Sequence, residues 1–266
     1  MKTVVITGSS RGLGWELAKR FRAEGLNVVL NGVNRERLEN AKRTLEAMPG
    51  DGGVLACFGD VSSALDVRAV IDATVEAFGR IDLWINNAGV NQPMKPLWEL
   101  TESEIDHILN TDLKGTVIGS KLAMEQMIRQ GGGAIYNLEG YGSNDAMMLG
   151  LNMYGTGKRA VTHFTVALAK ESEERKTGVL VGRLSPGIMI TDFTTGALGG
   201  KEKIELSEKT KRIYNILGDY PDVVADFLVA EILKNKKNNA HIEWLTGAKA
   251  AWRFMTAGFN KRDFFK

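Results

Sequence analysis

The sequence predicts one α/β domain spanning residues 1–266, built on a doubly wound parallel sheet of about seven strands with helices on both faces. Two observations predict it. Short β-branched runs alternate with amphipathic helical patterns along the chain, and neither a Pro- or Gly-rich linker nor a repeat of fixed period divides it. Strict alternation implies right-handed crossovers and a sheet covered on both faces. A hydrophobic share of 44% with 25% charged residues in 266 positions suffices for one large core.

The first strand is read at "TVVIT" (3–7), followed by "TGSSRGLG" and the amphipathic stretch "GWELAKRFRAEG". A second strand, "NVVLN" (27–31), precedes the helical pattern "NRERLENAKRTLEAM", and a third is "GVLACF" (53–58). "IDLWIN" (81–86), "AIYNL" (134–138), "GVLVGRLS" (178–185) and "HIEWL" (241–245) complete the set. In such a sheet ligands bind beyond the carboxyl ends of the strands, where strand order reverses. Attention therefore falls on the residues just after each strand.

After the first strand, Gly8, Gly12 and Gly14 form a G-x3-G-x-G turn that also holds Ser10, Arg11 and Leu13. Glycine reaches the backbone angles of a tight strand-to-helix turn and lets a diphosphate approach the free N–H groups of the helix start. The spacing departs from the commonest dinucleotide fingerprint, and a glycine turn can also be a packing device. After the second strand, Gly32 and Val33 stand where an acidic residue would hold a free ribose 2′-hydroxyl. Arg11 or Arg35 could pair with a 2′-phosphate, or both could be solvated surface arginines. On this basis NADP(H) is favoured over NAD(H).

Tyr154 and Lys158, four apart in "YGTGK", share a helix face. A phenol titrates near about 10, and an adjacent ammonium is expected to bring it closer to neutral pH, where acid–base catalysis is efficient. Gly155 and Gly157 each weaken the helix by about 1 kcal/mol relative to Ala, which suggests close approach by a ligand or a neighbouring helix. Asn110, in "HILNTDLKG", is a poor helix former at mid-helix.

Taken together, T7-G8-x3-G12-x-G14, N86-N87-A88-G89, Asn110, Y154-x3-K158 and P186-G187 with Thr191 resemble the short-chain dehydrogenase/reductase family, with its Rossmann-type fold, from residue 3 to about residue 192. The resemblance implies hydride transfer between a nicotinamide cofactor and a carbonyl or alcohol. Tyr154 would then be proton donor or acceptor, Lys158 would tune it and hold the nicotinamide ribose, and Asn110 would hold a water of the proton relay. Asp60 with Val61 would meet the adenine, and Asn87, Ala88 and Gly89 would line the cofactor floor. Pro186, Gly187, Ile188 and Thr191 would face the carboxamide and diphosphate.

One feature departs from the family pattern: Glu139 and Gly140 stand where most members have two serines. Ser143 or Tyr141 on the same loop is expected to supply the missing hydroxyl. "IDLWINNAG", "AIYNLEGYGS", "LSPGIMITD" and "HIEWLTGAKA" look like the chlorophyll b reductase branch, which implies a formyl group on a chlorophyll ring as one candidate substrate. A dinucleotide-binding regulator without turnover is the competing reading.

Residues 191–217 are expected to form a substrate lid or a plain surface connection. The tail, 248–266, mixes Trp252, Phe254, Met255, Phe259, Phe264 and Phe265 with basic residues, and is expected to pack on its own domain or a sister subunit rather than on a membrane. A net charge of +2 gives no case for nucleic acid as partner. His107, His163 and His241 show no ligand spacing, so no metal is expected. Cys57, the lone cysteine, reads as a small buried hydrophobe. No leader-like or spanning apolar run is evident, so a cytoplasmic protein acting on a small-molecule substrate as a homodimer or homotetramer is expected.

Overall fold

Runs of Val, Ile and Leu become hydrogen-bonded strands at each predicted place: β1 (Thr3–Ile6), β2 (Asn27–Gly32), β3 (Val54–Phe58), β4 (Leu83–Asn86), β5 (Gly133–Leu138), β6 (Val179–Ser185) and β7 (Ala240–Glu243). The computed structural model describes residues 1–191, 207–259 and 262–265. Its seven strands form one parallel sheet in the order β3-β2-β1-β4-β5-β6-β7.

The two-residue period of a strand sends alternate side chains into separate cores. Val4, Ile6, Val28, Leu30, Leu83 and Ile85 enter one. There they meet α1 (Gly12–Ala23) through Leu17 and Phe21, α2 (Arg35–Glu46) through Leu38 and Leu45, and α8 (Pro221–Lys234) through Leu228 and Val229. Val5, Val29, Trp84, Ile135 and Val181 enter the other, against α3 (Ala64–Phe78), α5 (Gly115–Arg129) and α6 (Asn152–Glu174). Each such Val, Leu or Ile contributes roughly 1.5–3 kcal/mol on burial. Cys57 belongs to the second core, and burial pushes its thiol up to about 11, which suits a packing role.

Because β2 and β4 lie on opposite sides of β1, the connections leaving β1 and β4 diverge and open a crevice at their carboxyl ends. A π turn, Leu109–Lys114, joins α4 (Glu102–Ile108) to α5, and helps place one wall of that crevice. Such turns insert a residue into a helix and change which side chains face inward.

Of the predicted lid, residues 192–206 lie outside the described residues, and α7 (Glu208–Leu217) occupies the remainder. The tail packs on its own domain. From α9 (Gly247–Thr256), Arg253 donates to Asp219 at 2.7 Å, while Arg262 donates to the same carboxylate at 3.1 Å. Phe264 stands edge-on to Tyr220 with ring centres 5.1 Å apart. Trp252, Phe254, Met255 and Phe259 stay exposed. Among the described residues, no helix is long and apolar enough to cross a membrane.

Candidate active site

The glycine turn is built around Asn87. Its Nδ2 donates to the carbonyls of Thr7 (2.8 Å) and Gly8 (3.1 Å), tying the end of β4 to the end of β1. Gly8 has φ +63°, and a Cβ there would lie 2.7 Å from the Cα of Ala88. A Cβ on Gly14 would collide with the Asn87 amide. Both glycines are therefore required by packing within the protein. Gly12 differs: its φ is +58°, and nothing lies within 4 Å of where its Cβ would be. Open space at a left-handed residue starting a helix is what a diphosphate cradle needs, so the turn fits a dinucleotide. Leu13 is buried beneath it, and Arg11 is exposed at its rim.

Beyond β2 and β3, the Arg35 guanidinium lies over the Phe58 ring at 3.9 Å. Asp60 shapes the loop after β3 by accepting from the Ser62 N–H at 2.8 Å, and Val61 packs against Gly115, where an added Cβ would lie 2.7 Å from Val61 Cγ2. After β6, Pro186, Gly187 and Ile188 lead to Thr191 at the edge of the described region. The Ile188 carbonyl accepts from the Asp219 N–H at 3.0 Å, and the Asp219 carbonyl accepts from Ile190, so the carboxylate that anchors the tail also fixes this segment.

Tyr154 and Lys158 lie on the inner face of α6, both buried. Gln92, itself buried, holds the helix start by accepting from the N–H groups of Met153 (2.9 Å) and Tyr154 (3.0 Å), supplying a cap that Leu151 lacks. Farther in, Asn86 donates to Ser120 (3.0 Å) and Asn137 (2.7 Å), and Asn137 donates to Thr165 of α6 (2.9 Å). This buried network fixes α6 on the ends of β4 and β5.

Gly140 forms the wall facing the phenol. A Cβ on it would land well inside van der Waals contact of the Tyr154 hydroxyl and 3.1 Å from Lys158 Cγ. The Ser143 hydroxyl, expected to supply the missing contact to substrate, is engaged within the protein. It accepts from the Gly140 N–H (3.1 Å) and donates to the Lys158 carbonyl (3.4 Å), because the turn leaves a polar N–H that needs a partner. Tyr141, the other candidate, is 39% exposed.

The neighbour of Lys158 is Asp112 rather than Asn110. Asp112 Oδ2 lies 3.3 Å from Lys158 Nζ without a directed hydrogen bond, and Oδ1 accepts from the Val90 N–H at 2.7 Å. A Cβ on Gly89 would lie in ordinary van der Waals contact with both carboxylate oxygens, at 3.4 Å. Asn110, half-buried, accepts at its backbone carbonyl from the Gly115 N–H within the π turn. Burial pushes the Asp112 carboxyl above its ordinary range despite the Lys158 charge and the Val90 N–H. For Tyr154 the direction is opposite to the expected acidification. Burial raises it first, then the Asp112 charge, then Tyr214. Lys158 Nζ, 5.6 Å from the ring centre, is already paired with a carboxylate.

Glu139, also buried, accepts from His241 (2.9 Å), Thr162 (2.9 Å) and Arg183 (3.4 Å). Burial alone would raise its carboxyl, but these partners hold it below the ordinary value. Glu139 stood out in the sequence as a departure from the family pattern, whereas Asp112 did not.

A cavity of about 450 Å³ lies elsewhere, between α7 and the tail, lined by Lys211, Arg212, Asn215 and Arg262, and it contains neither Tyr154 nor Lys158. The site follows the chemistry at the strand ends, not this cavity. Among the described residues, no group of three or more His, Cys, Asp or Glu is arranged to hold a metal.

With the glycine turn and the Tyr154–Lys158 pair at one end of this sheet, the comparison with known proteins is decisive: residues 2–200 match the short chain dehydrogenase family. The chain belongs to that family. It is an oxidoreductase domain of the kind that binds a nicotinamide dinucleotide and acts on small molecules. It is 35% identical over 260 residues to the chloroplastic chlorophyll(ide) b reductase NOL of Oryza sativa subsp. japonica, covering 95% of this chain and 74% of that protein. Its fold is similar to the crystal structure of a levodione reductase (TM-score 0.80, 28% identity, 94% and 98% of the two chains). It is also similar to an alcohol dehydrogenase from the archaeon Thermococcus sibiricus complexed with 5-hydroxy-NADP (TM-score 0.75, 25% identity, 92% and 96%).

Proposed function

We propose that the chain is an NADPH-dependent carbonyl reductase in which Tyr154 is the proton donor. The observation that carries this reading is a buried phenol and ammonium on one face of α6, beside the ends of β4 and β5 and across from the open glycine cradle. NADP(H), when bound, supplies the hydride. Gly12 and the start of α1 hold its diphosphate. Arg35, braced on Phe58, with Arg11, favours the 2′-phosphate, and no carboxylate at Gly32 or Val33 opposes it. The NADP-type ligand of the archaeal relative's structure agrees with this choice.

During reduction the carbonyl oxygen gains negative charge and takes the proton from Tyr154 Oη. Burial makes the phenol a firmly protonated donor in the free enzyme and excludes water that would compete for the proton. Lys158 then lies beside the phenolate that remains.

A second reading narrows the substrate to a formyl group on a chlorophyll ring. It rests on the 35% identity to the rice enzyme and on exposed Met94, Leu97, Trp98, Met147 and Leu149 on loops beside the site, which suit a broad apolar ring.

The test is NADPH oxidation with a panel of aldehydes, ketones and chlorophyllide b, comparing native protein with Tyr154→Phe. Activity should fall about 100-fold or more, while NADPH affinity is retained. Full turnover in the variant removes the proton-donor assignment. Cofactor binding with no turnover of any panel member by the native protein favours a regulator.

A further inference from the structure

Resting on the carbonyl-reductase reading, we propose that Gln92 is a further catalytic residue, whose side-chain Nε2 donates a hydrogen bond to the carbonyl oxygen of the substrate. It takes the part for which Gly140 has no hydroxyl. Gln92 lies in the loop after β4 and is only 1% exposed. Its Oε1 accepts from the N–H groups of both Met153 and Tyr154, at 2.9 and 3.0 Å. Its Nε2 is buried and has no hydrogen-bond partner among the described residues.

The orientation of this amide is not free. Turning it over would set an NH2 group against two helix N–H groups and leave both of them unpaired. The carbonyl end is therefore tied to the backbone of the residue that carries the reacting phenol, and the amino end must send its hydrogens elsewhere. The loop is pinned as well: the Val90 N–H donates to Asp112 Oδ1 at 2.7 Å, and the Gln92 N–H donates to Asn91 Oδ1 at 2.9 Å. A buried donor without a partner costs the folded protein free energy, and such a group calls for a role. The hydroxyls on the facing loop do not compete for that role. Ser143 is engaged with the Gly140 N–H and the Lys158 carbonyl, and Tyr141 is turned outward.

A carbonyl oxygen is the matching ligand, because it brings lone pairs and no hydrogen of its own. In reduction, hydride adds to the carbonyl carbon and the π electron pair moves onto the oxygen. The O–H bond of Tyr154 breaks and its proton passes to that oxygen, while the N–H bonds of Gln92 stay intact. The amide dipole meets a charge that grows along the reaction, so the hydrogen bond is stronger in the transition state than in the bound substrate. A donor held in place before substrate arrives needs no reorganisation at that moment.

The test uses the full chain labelled with nitrogen-15. The side-chain NH2 signal missing in Gln92→Glu identifies Gln92. With NADP+ present, so that no carbonyl compound can be reduced, the same panel of aldehydes, ketones and chlorophyllide b is added in turn. At least one member should move the Gln92 signal downfield in the native protein. A signal unmoved by every member overturns the proposal, whether or not the protein turns any of them over. In the NADPH assay, Gln92→Met should lower kcat by about 100-fold or more with NADPH affinity retained. Gln92→Glu keeps oxygen acceptors for both helix N–H groups, and its carboxyl can donate only while protonated. Its kcat should therefore fall as pH rises through the carboxyl range, where the native profile has no such limb. A capping role alone predicts the reverse, since an ionised carboxylate suits a helix start better. A kcat for Gln92→Glu that is flat or rises with pH overturns the proposal, and this readout stands even if Gln92→Met does not fold. Loss of activity in Tyr154→Phe with an unmoved Gln92 signal rejects this inference and leaves the reductase reading intact. A Gln92 signal that moves in a protein without turnover rejects the reductase reading and leaves the amide as the group that holds the carbonyl oxygen.

Discussion

At the scale of a residue, Gly140 shows how little space surrounds the reacting phenol. Its added Cβ would strike the hydroxyl of a ring that is only 7% exposed, so the ring or the loop must move. Overpacking of this kind costs typically about 1–3 kcal/mol, and a displacement near 1 Å at reacting atoms can lower a rate by about 100-fold. Gly140→Ala should therefore lower kcat by roughly 10-fold or more, with NADPH affinity measured by fluorescence quenching nearly unchanged. Gly140→Ser, which restores the usual family residue, should fare no better. An unaltered kcat in both variants would mean the phenol does not work against this wall. Tyr154 and Lys158 were legible in the sequence because a four-residue interval specifies a shared helix face. Asp112 was not. Asn110 drew attention as the weak helix former, whereas the π turn decides which side chain enters the site, and composition does not reveal that turn. Ser143 was legible as a nearby hydroxyl, but its commitment to the Gly140 N–H depends on the path of the loop.

At the scale of elements, strands were the easiest to read. A parallel strand buried on both faces must be apolar along most of its length, and the central runs met that demand, while the edge strand β7 buries only Ile242. Contacts joining elements remote in sequence left no such mark. Glu139 beyond β5 meets Arg183 of β6, His241 of β7 and Thr162 of α6, so one carboxylate fastens four elements behind the active-site loop. Its folded-state pKa is lowered, so its contribution is present above the unfolded value of about 4.3 and is lost as pH falls through the depressed folded value. Glu139→Gln should destabilise the protein by roughly 1.5–3 kcal/mol at pH 7, the range for charge-assisted hydrogen bonds. Urea unfolding at a series of pH values should show the gap between native and variant narrowing below about pH 4. A gap that stays constant with pH would assign the loss to packing instead of charge.

At the scale of the whole molecule, the sheet order places the cradle of α1 and the inner face of α6 on opposite sides of the same crevice, so cofactor binding should stiffen the fold across its centre. Only the folded chain presents the left-handed, open Gly12 turn, and a ligand that binds only the folded state stabilises it by mass action. At a free NADPH concentration 100 times its Kd, the gain is about 2.7 kcal/mol. For a domain somewhat larger than 200 residues, this corresponds to a rise in Tm of roughly 5–10 °C. Scanning calorimetry should find that rise with NADPH and a smaller one with NADH at equal concentration, because only the former offers Arg35 and Arg11 a 2′-phosphate. Gly12→Val places a branched side chain at φ +58° and fills the open cradle, so it should lower Tm without ligand and abolish the NADPH-dependent rise. Arg35→Ala, which removes a cation stacked on Phe58 but leaves the cradle intact, should bring the NADPH shift down to that of NADH. Equal shifts for both cofactors in the native protein would separate the two halves of the argument: the glycine turn would remain the dinucleotide cradle, and the arginines would lose their part in selecting the phosphate.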